Sequence, residues 1–144
     1  MEESISFGSL RKRYDIKEAD INTFSPLTFA YIGDSVFDVI IRSIVVARGN
    51  TPVSKMHNAC SRIVCAASQA EILDAITDEL FEEEADMVRR GRNAKPKNSA
   101  KNATQEDYRN ATAFETLIGY LYMKGQNDRL NDLVMSGLKK TGKI

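Results

Sequence analysis

The 144-residue chain is short of histidine, cysteine, surplus charge and long apolar runs, and each shortage closes off a class of function. Its one histidine, His57, cannot by itself build a zinc site or a Ser-His-Asp triad, and no second ligand or nucleophile accompanies it at a telling spacing. The two cysteines, Cys60 and Cys65, stand five apart in a predicted helix. That places their side chains about 140° apart around the axis, which suits small core residues better than a disulfide or a metal site. Lys+Arg and Asp+Glu are equal at 20 each, so the net charge is zero and a generic polyanion binder is disfavoured. No stretch approaches the roughly 18 apolar residues needed to span a bilayer. Met1-Glu2-Glu3-Ser4 is acidic where a secretory signal would be basic and then apolar. No membrane partner and a cytoplasmic location are the expectation. Strand-type alternation beyond a few residues, internal repeats and low-complexity segments are also missing.

What remains is helical periodicity, and the fold class it implies is all-α. Ser25-Pro26 is a helix cap followed by proline at the first helical position, and the apolar pattern runs from there to Ala47, before Gly49-Asn50. Thr51-Pro52 repeats the start signal, and the apolar positions from Val53 to Ile76 carry one or two further helices. A helix is expected from about Thr77 to Arg92. Thr104-Gln105-Glu106-Asp107 opens another with acids in its first turn, reaching Met123 or Lys124 before Gly125. Leu130, Leu133, Val134 and Leu138 form the stripe of a last helix. The length fits one domain with a real core.

Two carboxylates interrupt otherwise apolar helical runs, Asp34 in Tyr31-Ile32-Gly33-Asp34-Ser35-Val36 and Glu115 in Phe114-Glu115-Thr116-Leu117-Ile118-Gly119. A half-buried ionised carboxylate costs several kcal/mol in order of magnitude unless a cation, a hydrogen-bond network or a metal compensates it. If the two helices cross near Gly33 and Gly119, the missing side chains let the backbones approach and the carboxylates meet. That arrangement suits Mg²⁺, which keeps several waters and needs few protein ligands. A structural ion pair of Asp34 with Arg42 or Lys124 is the competing reading. The charges are also segregated. Asp78, Glu79, Glu82, Glu83, Glu84 and Asp86 precede Arg89, Arg90, Arg92, Lys95, Lys97 and Lys101, which have no acid among them. A solvated helix face followed by a loop is the plain interpretation. Arginine forks matched to phosphate, Gly91 and Pro96, and the amides of Asn93, Asn98 and Asn102 favour an RNA-facing loop.

Leu27-Thr28-Phe29-Ala30-Tyr31-Ile32-Gly33-Asp34-Ser35-Val36 resembles the signature segment of the ribonuclease III catalytic domain, and Phe114 to Gly119 that domain's second acidic helix. Arg89-Arg90-Gly91-Arg92-Asn93-Ala94-Lys95 and Tyr108-Arg109-Asn110-Ala111-Thr112-Ala113-Phe114-Glu115 resemble the compact Mini-ribonuclease III branch. The similarity runs from about Ser25 to the C-terminus. It implies a ribonuclease III endonuclease-domain-like helical bundle over residues 25–144 after an N-terminal extension, 1–24, with no room for a separate RNA-binding domain. The resemblance further implies a Mg²⁺-dependent endoribonuclease that cuts double-stranded RNA, leaves 5′-phosphates, acts as a homodimer and matures the large (23S) ribosomal RNA precursor. Asp34 and Glu115 would be its catalytic metal ligands, and Arg89, Arg90, Arg92, Asn93, Lys95, Lys97 and Lys101 would contact RNA. In the two-domain enzymes an acid also stands four residues before the Asp and three before the Glu. Here those positions are Ala30 and Thr112, which leaves the number of metal ions open. Thr112, Tyr31 and His57 are auxiliary candidates; Asp38 and Asp107 read as surface acids. Phe29, Phe37, Ile40, Ile41 and Ile44 exceed what one helix face should bury, which suggests a partner subunit. A non-catalytic RNA-binding or ribosome-assembly protein on the same scaffold, or a helical interaction module, are the alternatives from other classes.

Overall fold

The computed structural model describes residues 4–94 and 104–144, and these fold into seven α-helices with no strand among them. They are α1 (Phe7–Arg13), α2 (Pro26–Ala47), α3 (Val53–Val64), α4 (Ala66–Ile76), α5 (Glu82–Asn93), α6 (Gln105–Met123) and α7 (Asn127–Lys140). Single 3₁₀ turns cover Ile21–Thr23 and Thr77–Glu79. No described helix is long and apolar enough to cross a membrane.

Local chemistry sets most of the boundaries. The Ser25 hydroxyl accepts from the Thr28 amide at 3.3 Å and Pro26 opens α2, so one orphan donor is capped and another is absent. Thr104 does the same for α6, accepting from the Asp107 amide at 3.0 Å. Gly125 follows α6 with φ +75°, a left-handed turn that glycine adopts without strain. The periodicity reading leaves one boundary open and differs from the structure at another. The segment from Thr51 to Ile76 is two helices, because Cys65 is extended (φ −67°, ψ 159°) and turns the chain between α3 and α4. The helix expected from Thr77 begins only at Glu82. Leu80 and Phe81 are extended, and the Glu84 carboxylate folds back to accept from the Phe81 amide at 2.9 Å. Both cysteines are free; Cys60 is a core residue as expected, whereas Cys65 is exposed.

α6 is the central helix, surrounded by α2, α4, α5 and α7. From Ala111 onward it is buried on nearly every face, which explains why that stretch reads as mostly apolar all round. Phe37 of α2 meets Phe114 of α6 edge-on at 5.0 Å, and Phe29 meets Tyr120 at 5.6 Å. Phe29, Phe37 and Ile41 are therefore consumed by the core of a single chain, at 1%, 0% and 1% exposure. They do not supply the surplus apolar surface expected of them, and Ile40 and Ile44 are partly buried against the same core. The apolar groups that α2 leaves exposed are Leu27, Tyr31, Val39 and Val46. Ahead of α2, Phe7 packs edge-on against Tyr122, whose hydroxyl donates to the Ile5 carbonyl at 2.6 Å.

Candidate active site

α2 and α6 cross at glycine on both sides. A Cβ built on Gly33 would overlap the Glu115 carbonyl oxygen and lie 2.7 Å from the Gly119 nitrogen, and one built on Gly119 would overlap the Phe29 carbonyl. Only a pair of glycines permits this backbone contact. The contact brings Asp34, one residue beyond Gly33, against Glu115, one turn before Gly119.

The two acids differ in setting. Asp34 is exposed, not half buried as its apolar neighbours suggest, while Glu115 is partly buried beneath it. Burial is the largest influence on Glu115. The Asp34 carboxyl, within hydrogen-bonding reach, adds to it, and together they push the Glu115 carboxyl up to about 8. Gln69 of α4 acts weakly the other way. Neither acid forms an ion pair among the described residues. Arg42 is engaged at 3.0 Å with Asp38, and Lys124 lies over the Tyr120 ring, 5.7 Å from its centroid, so the structural ion pair considered for Asp34 is not made.

These donors suit a hard cation. The described residues hold no group of three or more His, Cys, Asp or Glu that could hold a metal ion, but the two carboxylates bring only oxygen, and the buried Gln69 Oε1 has no hydrogen-bond partner among those residues. Two carboxylates plus waters is a donor set that fits Mg²⁺. Thr112, one turn before Glu115, is 7% exposed, and its hydroxyl donates to the Tyr108 carbonyl at 3.0 Å. Tyr31 is 81% exposed on the turn of α2 preceding Asp34. His57 is exposed on α3 and lines a depression with Met56 and with Arg42, which stands roughly two helical turns, about 12 Å, along α2 from Asp34.

Arg89, Arg90, Arg92 and Asn93 occupy the last turns of α5. Gly91 seats this end on α6, where a Cβ would lie 2.5 Å from the Thr116 hydroxyl and 3.0 Å from the Ala113 Cα. The basic end of α5 thus adjoins the turn of α6 that carries Glu115. Arg89 pairs with Asp86, and Arg92 with Glu106 at 3.6 Å. Lys95, Lys97 and Lys101 lie outside the described residues.

Several buried polar side chains escaped the sequence reading, Gln69 and Glu84 among them. Gln69, 2% exposed, falls on the stripe of Ile72 and Ile76, a spacing at which a polar residue is itself a signal. Glu84 looks like one more acid in a solvated run but is 3% exposed and held by Arg129 of α7, with Nε and Nη2 each donating to the carboxylate at 2.8 Å.

An all-α domain with two facing carboxylates and a basic helix end defines a class, and comparison with known proteins narrows it. Residues 27–126 match the family model described as the Ribonuclease III domain, so the class is that of an endoribonuclease. The chain is 44% identical over 115 residues to the Mini-ribonuclease 3 of Brevibacillus brevis, spanning 80% of this chain and 86% of the relative. It is 41% identical over 134 residues to that of a Thermoanaerobacter species, spanning 93% and 94%. A crystal structure of a Fusobacterium nucleatum protein superposes with a TM-score of 0.77 at 24% identity, covering 85% of this chain and 94% of that one, a likeness of fold. The chain belongs to the Mini-ribonuclease 3 family.

Proposed function

We propose that this endoribonuclease cleaves double-stranded RNA in a Mg²⁺-dependent reaction, with Asp34 and Glu115 as the ligands of the ion and residues 25–144 as the catalytic unit. The observation that carries the reading is Glu115, partly buried against a second carboxylate with no basic side chain paired to either acid among the described residues. Bound there, Mg²⁺ would supply an activated water and neutralise charge at the phosphodiester. Asp34 and Glu115 hold the ion, and the Gly33–Gly119 crossing fixes the two acids relative to each other. The net reaction adds water across one phosphodiester: a new P–O bond forms to the water oxygen and the P–O3′ bond breaks, leaving a 5′-phosphate and a 3′-hydroxyl.

Recognition rests on backbone and shape, because the deep groove of A-form RNA hides base edges. Arg89, Arg90, Arg92, Asn93, Lys95, Lys97 and Lys101 provide the phosphate contacts, with Tyr31 and His57 at the margins. The substrate is a stem of the large (23S) ribosomal RNA precursor, and the reaction takes place in the cytoplasm. Cutting both strands at a fixed stagger requires two sites related by a twofold axis, so the working form is a homodimer. Its contact surface is formed by the exposed Leu27, Val39 and Val46 of α2 together with Val53 of α3.

Incubating the protein with end-labelled duplex RNA, single-stranded RNA and precursor stems tests the proposal, in Mg²⁺ and in EDTA. Cleavage of duplexes alone, lost in EDTA and leaving 5′-phosphates, is the expected result. Undiminished cutting in EDTA would refute the metal assignment, and preference for single strands would refute the substrate. Sedimentation at micromolar concentration is expected to give twice the chain mass; a monomer that makes paired cuts would refute the dimer.

A further inference from the structure

Gln69 is the polar side chain for which the two carboxylates give no account. It sits on α4 at 2% exposure, and its Nε2 donates to the Val64 carbonyl at 3.0 Å. A carbonyl only accepts, so this bond fixes which end of the amide is which and makes Oε1 the atom left without a partner. A buried acceptor with no donor is costly enough that a native structure normally supplies one. None of the described residues supplies one, and the same amide borders the acid pair, its Nε2 side facing the Glu115 carboxylate and favouring its charged form. The Ser68 hydroxyl is also buried without a partner, but nothing ties it to either acid.

A hydrated hard cation supplies the missing donor. Mg²⁺ gives up its waters reluctantly, and the charge of the ion makes those waters strong donors. We infer that Gln69 is a positioning residue of the metal site, its Oε1 accepting a hydrogen bond from a water in the coordination shell of the ion held by Asp34 and Glu115. This rests on those two acids being the metal ligands. Gln69 thereby takes up part of the role left open where two further acids are absent, at Ala30 and Thr112, through a neutral oxygen that adds no repulsion to a crowded pair. Its anchor on Val64 makes the position of that oxygen a property of the α3–α4 turn.

Titrating the full chain without RNA with Mn²⁺, and reading the free ion by electron paramagnetic resonance, separates the possibilities. Asp34→Asn is expected to lose the site. Gln69→Leu is expected to raise the Mn²⁺ dissociation constant about 10- to 100-fold, the usual effect of removing an outer-shell partner. Gln69→Met, close in length, carries the same expectation should the Leu variant not fold. Gln69→Glu keeps an oxygen but loses the donor to Val64, and is expected to bind Mn²⁺ as tightly as the wild type or more so. Affinity within twofold of wild type in Gln69→Leu or Gln69→Met would overturn the inference. Equal loss in the Glu and Leu variants would also overturn it, showing that the amide merely holds the helix turn. Wild-type protein with no Asp34-dependent Mn²⁺ site would instead remove the ligand assignment itself.

Discussion

Glu84 and Glu115 are both glutamates withdrawn from water beside the central helix system, and they have opposite fates. Glu84 is closed on every side. Burial pushes its carboxyl up, but the Arg129 hydrogen bonds, the Phe81 amide and the Arg129 charge together outweigh burial and hold it below the usual carboxylate range. Arg129 is satisfied in turn, donating also to the Glu79 carbonyl at 2.7 Å and lying 4.0 Å over the Phe81 ring. Glu115 meets another acid where Glu84 meets a base. Compensation inside the chain marks Glu84 as architecture, and its lack at the acid pair is the reason Glu115 is proposed as a ligand.

The sharpest way to break this contrast is to neutralise the uncompensated pair. Asp34→Asn or Glu115→Gln is expected to lower duplex cleavage by roughly three orders of magnitude or more, several kcal/mol of transition-state stabilisation, while duplex binding and fold survive. Single-turnover assays check the first expectation and electrophoretic mobility shifts the second. Turnover near the wild-type value in either variant would undo the assignment. Ca²⁺, whose larger and looser shell places water poorly, is expected to support binding with little cutting.

On the compensated side the loss is expected in stability. Arg129→Met leaves Glu84 buried without its base, which costs about 3–5 kcal/mol where such a pair is broken from one end. Chemical denaturation should show this as a lower midpoint at unchanged slope. Removing both charges, as Glu84→Gln with Arg129→Met, is expected to recover much of it. Equal stability of the single and double variants would show that the pair does not close on itself as the geometry indicates.

The sequence made one side of this comparison far easier to see than the other. Asp34 and Glu115 stand out because each interrupts an apolar run within a helical turn of a glycine, and the α2–α6 crossing at Gly33 and Gly119 follows from residues that are local to each helix. Ser25 and Thr104 likewise announce their helices through side chains that cap within three residues. Glu84 could not be told from its neighbours, since its partner is 45 residues away and its burial depends on how α7 docks. The same holds for Phe29 and Phe37. Their periodicity shows an apolar face, but only tertiary packing decides that α6 covers it and leaves Tyr31 and Val39 outside.

The two sites should also separate along the pH axis in the absence of metal. The folded-state value of Glu115 lies near 8, above the ordinary 4.5, so the folded chain holds this proton more tightly than the unfolded chain does. Its contribution is therefore fully present below about 4.5 and is lost as pH rises through about 8. The loss is on the order of a few kcal/mol. Glu84 has the opposite sign, its contribution being lost as pH falls below the ordinary carboxylate range. Melting curves in EDTA from pH 5 to 9 should show wild-type stability falling relative to Glu115→Gln, with the variant the more stable at pH 8. Saturating Mg²⁺ should shrink the gap. A difference that stays constant over the range would mean that Glu115 carries no such burden.

The same rule extends, with smaller stakes, to the bases at the end of α5. Arg89 is held by Asp86 and Arg92 by Glu106, whereas Arg90 has only the Met87 sulfur, 3.4 Å from its Nη1, and no acid among the described residues. An arginine already paired must give up or share its carboxylate to meet a phosphate, so it releases fewer counterions on binding than an unpaired one. Each phosphate neutralised contributes about 0.9 to the slope of log affinity against log salt for a duplex. Arg90→Ala is therefore expected to lower the slope by close to that amount, and Arg89→Ala by visibly less. Replacing Lys95 and Lys97 together by Ala is expected to remove about twice the single-contact value and to weaken all duplex sequences alike, because phosphates carry no sequence. Fluorescence anisotropy in Ca²⁺ at several salt concentrations reads all three. An unchanged slope in the double lysine variant would confine RNA contact to α5, and equal slopes for Arg89→Ala and Arg90→Ala would show that the local acids do not withhold their partners from RNA.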